Sequence, residues 1–172
     1  PRLNGFEVLA ELKKDEALYP VPSEADFKDG DFLESEDLQT MGEALIKDEY
    51  PDLAQFKIHF LWKLEGGSRN GKTVLGKAIL PRSLAGFYSK ADVVIWVAAD
   101  HLRFLRADKK IVEAVLYHEL CHVKAEEDEK KGWIVFLIGH DWEGFGAELK
   151  RYGTWRTDLE VMVEEVKQLR LW

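Results

Sequence analysis

Residues 108–124 read Asp-Lys-Lys-Ile-Val-Glu-Ala-Val-Leu-Tyr-His-Glu-Leu-Cys-His-Val-Lys, a run with helical periodicity opened by a side chain suited to an N-cap. At about 100° per residue, His118 and His122 fall on the stripe of Ile111 and Val115, while Lys109, Glu113, Tyr117 and Lys124 lie on the opposite side. Two imidazoles one turn apart on an apolar face are costly to bury unless each finds hydrogen-bond partners or both share a metal ion. His118-Glu119-Leu120-Cys121-His122 is also an H-E-x-x-H pattern, in which two ring nitrogens can ligate one Zn²⁺ while the glutamate reaches a water molecule. The plainer alternative is a pair of core histidines bonded to carbonyls, with Glu119 at the rim of the helix. The paired spacing together with the glutamate favours the metal.

A hydrolytic zinc site needs three protein ligands and an open position. With five histidines in the chain, the candidates for the third ligand are His59, His101 and His140, or a carboxylate such as Glu143 or Glu148. His140 is best placed, because the 17 residues that separate it from His122 let the chain turn and present a ligand from the next helix. His59 and His101 read as a strand-surface and a helix-entry residue.

Upstream, Leu38, Met41, Leu45 and Ile46 recur at helical spacing between Ser35 and Pro51. From Gln55 to Glu65, Phe56, Ile58, Phe60, Trp62 and Leu64 alternate with Lys57, His59, Leu61, Lys63 and Glu65, the period of a strand buried on one face. Thr73–Leu80 reads as a second strand and the β-branched Asp92–Ala98 as a third. After the 108–124 helix come a charged turn at Glu126–Lys131, an apolar piece at Trp133–Ile138 and two helices near Asp141–Tyr152 and Thr157–Leu169. Residues 1–34, interrupted by Pro20-Val21-Pro22, read as a short helix and an acidic loop-rich lead-in, and 35–172 as one compact domain. This order predicts an α+β fold with a small antiparallel or mixed sheet.

A second motif competes for function. Gly66-x-x-x-x-Gly71-Lys72-Thr73 is a literal Walker A string, with Asp100 as a candidate magnesium ligand after Val93–Asp100. A phosphate loop, however, leaves a strand buried on both faces and enters a helix of several turns. Here the preceding strand has one polar face, and the residues that follow contain Gly76 and stop at Pro81. A hairpin loop fits the segment better.

The net charge of −8 is unevenly spread: residues 1–52 carry 15 acidic and 5 basic groups, whereas residues 53–110 carry 11 basic and 4 acidic. Overall acidity argues against tight non-specific nucleic-acid binding, although the basic surplus of the second segment keeps a local nucleic-acid contact open. No apolar stretch approaches the ~20 residues of a membrane-spanning helix, and no charged-then-apolar leader opens the sequence, so a soluble, unexported protein is expected. A lone cysteine, Cys121, excludes an intrachain disulfide framework and fits a reducing cytoplasm.

The runs Leu116–His122, His140-Asp141-Trp142-Glu143-Gly144-Phe145 and Arg151-Tyr152-Gly153-Thr154-Trp155 resemble the putative phage metallopeptidase family, a branch similar to SprT-like zincins. The likeness extends through Ala44-Leu45-Ile46, Val74-Leu75-Gly76-Lys77-Ala78 and Trp96, and covers most of residues 40–156. It implies a zincin-like fold, with the sheet packed on the helix that carries H-E-x-x-H, and His118, His122 and His140 as zinc ligands. It also implies Glu119 as catalytic base, a protein or peptide substrate, and the cytoplasm of a host cell as location. Asp141 stands where SprT-like relatives have glycine, and a single cysteine leaves no counterpart of their separate zinc-binding module.

By the same likeness Asp92–Ala98 is the candidate edge strand for substrate, and Arg151, Tyr152 and Tyr117 are candidates to stabilise an oxyanion. Two other functions stay in view, a catalytically silent zinc-binding interaction or inhibitor protein and a nucleotide-binding protein using Gly66–Thr73.

Overall fold

The computed structural model describes residues 17–28, 30–69, 71–81, 89–140 and 146–155. The first helix, α1, spans Glu36–Glu49, and the Ser35 side chain accepts from the Leu38 amide at its start. It buries Leu38, Leu45 and Ile46, and the chain leaves it through a 3-10 turn at Pro51–Gln55. The predicted one-sided strand is β2, Ile58–Lys63, with Ile58, Phe60 and Trp62 buried.

Four strands build the main sheet. They are β1 (Phe32–Glu34), β2, β5 (Gly76–Ile79) and β6 (Val93–Ala98), in the order β1-β2-β6-β5. The β2–β6 pair is parallel and the two outer pairs are antiparallel, so the sheet is mixed. Its apolar face is covered by α1 against β2 and by α3 (Lys109–Cys121) against β5 and β6. Leu38, Phe60, Trp62, Ile95, Val112, Leu116 and Leu120 meet in the core between them.

Several expectations change here. The lead-in read as loop supplies β1, because Phe32 to Glu34 register against Lys63 to Leu61. The strand at 92–98 lies inside the sheet between β2 and β5, so among the described residues the outer strand next to α3 is β5. A short helix not anticipated, α2 (Ala99–Phe104), follows β6 directly. The Asp108 carboxylate caps α3 through the Ile111 amide, as its position suggested, but the helix stops at Cys121. Its next residues open strand β7 (Val123–Asp128), which pairs with β8 (Gly132–Leu137). The expected charged turn is confined to Glu129–Lys131, and Glu126–Asp128 belong to the strand, since its partner supplies the apolar content that β7 lacks. The last described helix, α4, spans Gly146–Tyr152 and ends at Gly153, whose φ is +66°. The predicted helices near the amino terminus and at Thr157–Leu169, and the first residues of the one at 141, lie outside the described residues.

The Walker-type string forms a small hairpin of β3 (Ser68–Arg69) and β4 (Lys72–Thr73), and β5, not a helix, follows it. Its glycines have structural reasons. A Cβ on Gly66 would lie 2.2 Å from the Val74 carbonyl oxygen, and Gly71 turns the hairpin with φ +76°. Asp100, the would-be magnesium ligand, accepts from the Gly66 amide at 2.9 Å.

Among the described residues, one half of the β2 edge has no strand beside it. There the Gln39 amide accepts from the Phe60 N–H at 3.1 Å and donates to the Ile58 carbonyl at 3.0 Å. A groove of ≈ 820 Å³ borders this point, lined in part by Glu34, Gln39, Glu43, Ile46 and Phe56.

The contact between α1 and β2 is tight at Gly42, where an added Cβ would sit 2.3 Å from the Phe60 ring. Alanine is the better helix former by about 1 kcal/mol, but overpacking costs about 1–3 kcal/mol. Gly42→Ala should therefore lower the urea midpoint of unfolding; an unchanged or raised midpoint would show that the helix can back away from the sheet without loss.

Candidate metal centre

Helix α3 is buried on nearly all sides, not along one stripe. Tyr117, expected to face outward, is 5% exposed because Tyr50 from the end of α1 and Tyr152 of α4 close over it, with ring centroids 5.7 and 5.5 Å away. Polar groups on this helix consequently need partners from other elements.

His118, His122 and His140 come together. One ligand atom from each lies within 4.8 Å of the others, and they are respectively buried, half-buried and exposed. The ring centroids of His118 and His140 are 5.0 Å apart, and those of His122 and His140 are 4.4 Å apart. His118 and His122 arrive from the last turn of α3 and its cap position, and His140 from the segment that leaves β8. The spacing read from sequence becomes a hairpin, β7 and β8, that carries the chain out and back to the same point.

Each α3 histidine is oriented through Nδ1. His122 Nδ1–H donates to the Ile138 carbonyl at 2.7 Å, and the Ile138 N–H returns a bond to the His122 carbonyl at 2.8 Å. His118 Nδ1–H donates to Glu148 Oε2 at 2.6 Å. Both rings are thereby set as the tautomer with the lone pair on Nε2. Burial pushes the His122 pKa below the ordinary imidazole range, against the opposing effect of the Ile138 bond.

This donor set fits a small divalent cation. His118 Nε2 and His140 Nε2 are 3.0 Å apart, near the roughly 3.3 Å between nitrogens that tetrahedral zinc with ordinary Zn–N bonds requires. Without a cation the His118 Nε2 lone pair can accept from His140 Nε2–H, and a shared cation would take the place of that proton. His59, on β2, and His101, whose Nε2 is 2.9 Å from the Gly67 carbonyl oxygen, are not part of the cluster. Glu143 lies outside the described residues.

Glu119 is 6% exposed, and its Oε2 accepts from the Ala78 N–H of β5 at 2.9 Å. Gly76 of the same strand makes this approach feasible, since a Cβ there would come within 3.0 Å of Glu119 Cγ, Val115 Cγ1 and the Trp96 carbonyl oxygen. Glu148, a fallback ligand in the sequence reading, is fully buried with its two oxygens bonded to His118 and to Trp155 Nε1, both at 2.6 Å. Its position behind the ring of His118 could not be read from spacing. The Arg151-Tyr152-Gly153-Thr154-Trp155 run was the only sequence signal near it.

The oxyanion candidates have structural engagements. Arg151 pairs with Glu49 and Glu113 and stacks over Tyr117 and Tyr152, whose hydroxyl bonds Glu113 at 3.0 Å. These contacts fasten α4 to α1 and α3. Cys121 is a buried filler beside the Tyr50 hydroxyl at 3.1 Å, and burial pushes its thiol up to about 11.

No helix among the described residues is long and apolar enough to cross a membrane. No curated protein and no solved structure shows significant similarity to the chain. A profile of one family matches residues 30–167, about four-fifths of the sequence and the whole of the site just described. The chain belongs to the putative phage metallopeptidase family.

Proposed function

We propose that the protein is a zincin-like, zinc-dependent metallopeptidase, with His118, His122 and His140 as ligands and Glu119 as general base. The observation that carries this reading is the convergence of three imidazoles beside a buried carboxylate from the same helix turn. Zinc bound by these nitrogens would supply Lewis acidity to a scissile carbonyl and to an attacking water molecule.

The chain's own groups do the rest. Tautomers fixed by Ile138 and Glu148 hold the two α3 imidazoles ready as ligands. The Ala78 amide fixes where the Glu119 carboxylate points. From there the carboxylate takes the proton of the attacking water and passes it to the leaving amine. Among the described residues β5 is the outer strand beside this carboxylate, and a substrate backbone in extended form would align along it. Exposure of His140 puts the site at the protein surface, where a polypeptide can reach it. Membership in the family supports a protein or peptide substrate. Cytoplasmic action inside a host cell is consistent with the single buried thiol.

Metal quantitation after gentle purification should give one zinc per chain, with a large loss of affinity in His140→Ala. Full occupancy in that variant would remove His140 from the ligand set.

Glu119→Gln should keep the zinc and lower kcat/KM on an unfolded protein substrate by about 10²–10⁴-fold. A zinc-loaded wild type that cleaves nothing in a broad peptide library would favour the silent zinc-binding alternative.

Gly76→Ala tests the positioning of the base. Its methyl group would crowd Glu119 Cγ, so turnover should fall while zinc affinity stays near that of the wild type. Unchanged turnover would mean that the strand yields.

A further inference from the structure

We propose that Glu148 is a positioning residue of the metal centre whose carboxylate is required because two N–H donors converge on it, and that Trp155 is the second donor, holding it in place. The proposal rests on the zinc reading above.

Glu148 is completely buried, and a carboxylate is stable there only if its oxygens are matched. One oxygen faces His118 Nδ1 and the other the Trp155 indole N–H, each at 2.6 Å, in the short range of charge-assisted bonds. Trp155 lies seven residues after Glu148, beyond the turn at Gly153. The chain thus folds back to place the indole against the side chain that orients the metal ligand. The Arg151 and Tyr152 contacts to Glu49 and Glu113 fix α4 itself. Glu148 therefore cannot drift, and the His118 ring cannot rotate without stranding a buried charge.

An ionised carboxylate has only acceptors, whereas a glutamine has one acceptor arm and one donor arm. In Glu148→Gln one of the two contacts must set N–H against N–H. If the amide oxygen turns to Trp155, the imidazole loses the partner that holds its lone pair on Nε2. Removing the indole N–H should relieve this conflict. The two substitutions are therefore coupled in a direction that simple loss of packing would not produce.

The test measures zinc affinity by competition with a chromophoric chelator for the wild type, Glu148→Gln, Trp155→Phe and the double variant. Glu148→Gln should bind about 10- to 100-fold more weakly, Trp155→Phe should lose less, and the double variant should bind more tightly than Glu148→Gln alone. Nitrogen-15 NMR of the metal-free wild type and of Trp155→Phe should show His118 protonated at Nδ1, a readout that survives if Glu148→Gln fails to fold. Wild-type affinity in Glu148→Gln, losses that merely add in the double variant, or an Nε2–H tautomer at His118 would each overturn the positioning role while leaving the metal reading in place. Absence of zinc binding by the wild type would overturn that reading, and the role with it.

Discussion

A helix that is buried nearly all round and yet carries two imidazoles and a carboxylate in five residues imposes the constraint on which the site depends. None of those groups can be satisfied by the helix itself, whose backbone is already occupied. Each is met from a different direction: His118 by α4, His122 by the end of β8, Glu119 by the β5 amide. The places of three separate elements are thus tied to three polar side chains, because an unmatched group in that interior would cost on the order of 1–3 kcal/mol or more. The same bonds that keep the core stable aim the Nε2 lone pairs outward toward His140. The contacts that hold the core together also gather the three histidines.

Exposure rises in steps across the three histidines, from the α3 turn to the segment after β8. The inner two are fixed through Nδ1, and the third is exposed. β5 completes the arrangement as an outer strand running past Glu119. Its Gly76 and the glycine at position 66 are there for close packing, whereas Gly71 serves a turn.

Local signals in the sequence were faithful. Asp108 and Ser35 cap the helices they were expected to cap, and the alternation over Ile58–Lys63 matches the burial of every second residue. What depended on partners was not legible. Nothing in Asp92–Ala98 says whether a strand lies inside a sheet or at its edge, since that is decided by which strands come to flank it. The acidic residues of β7 read as a turn because the apolar half of that hairpin is on β8. The cluster of three histidines was legible through its spacing and its likeness to a known family. The place of Glu148 was not, because only the fold brings its carboxylate against the His118 ring.

The Gln39 amide on β2 has a consequence for the life of the molecule in a crowded solution. A half-open row of backbone donors and acceptors invites pairing with a strand from another chain, the first step of many aggregation routes. By presenting one carbonyl and one amino group to Phe60 and Ile58, a helix side chain imitates a single peptide unit and closes the exposed stretch. An intruding strand would have to evict it first, so one polar residue guards the stretch of β2 that β1 does not reach among the described residues.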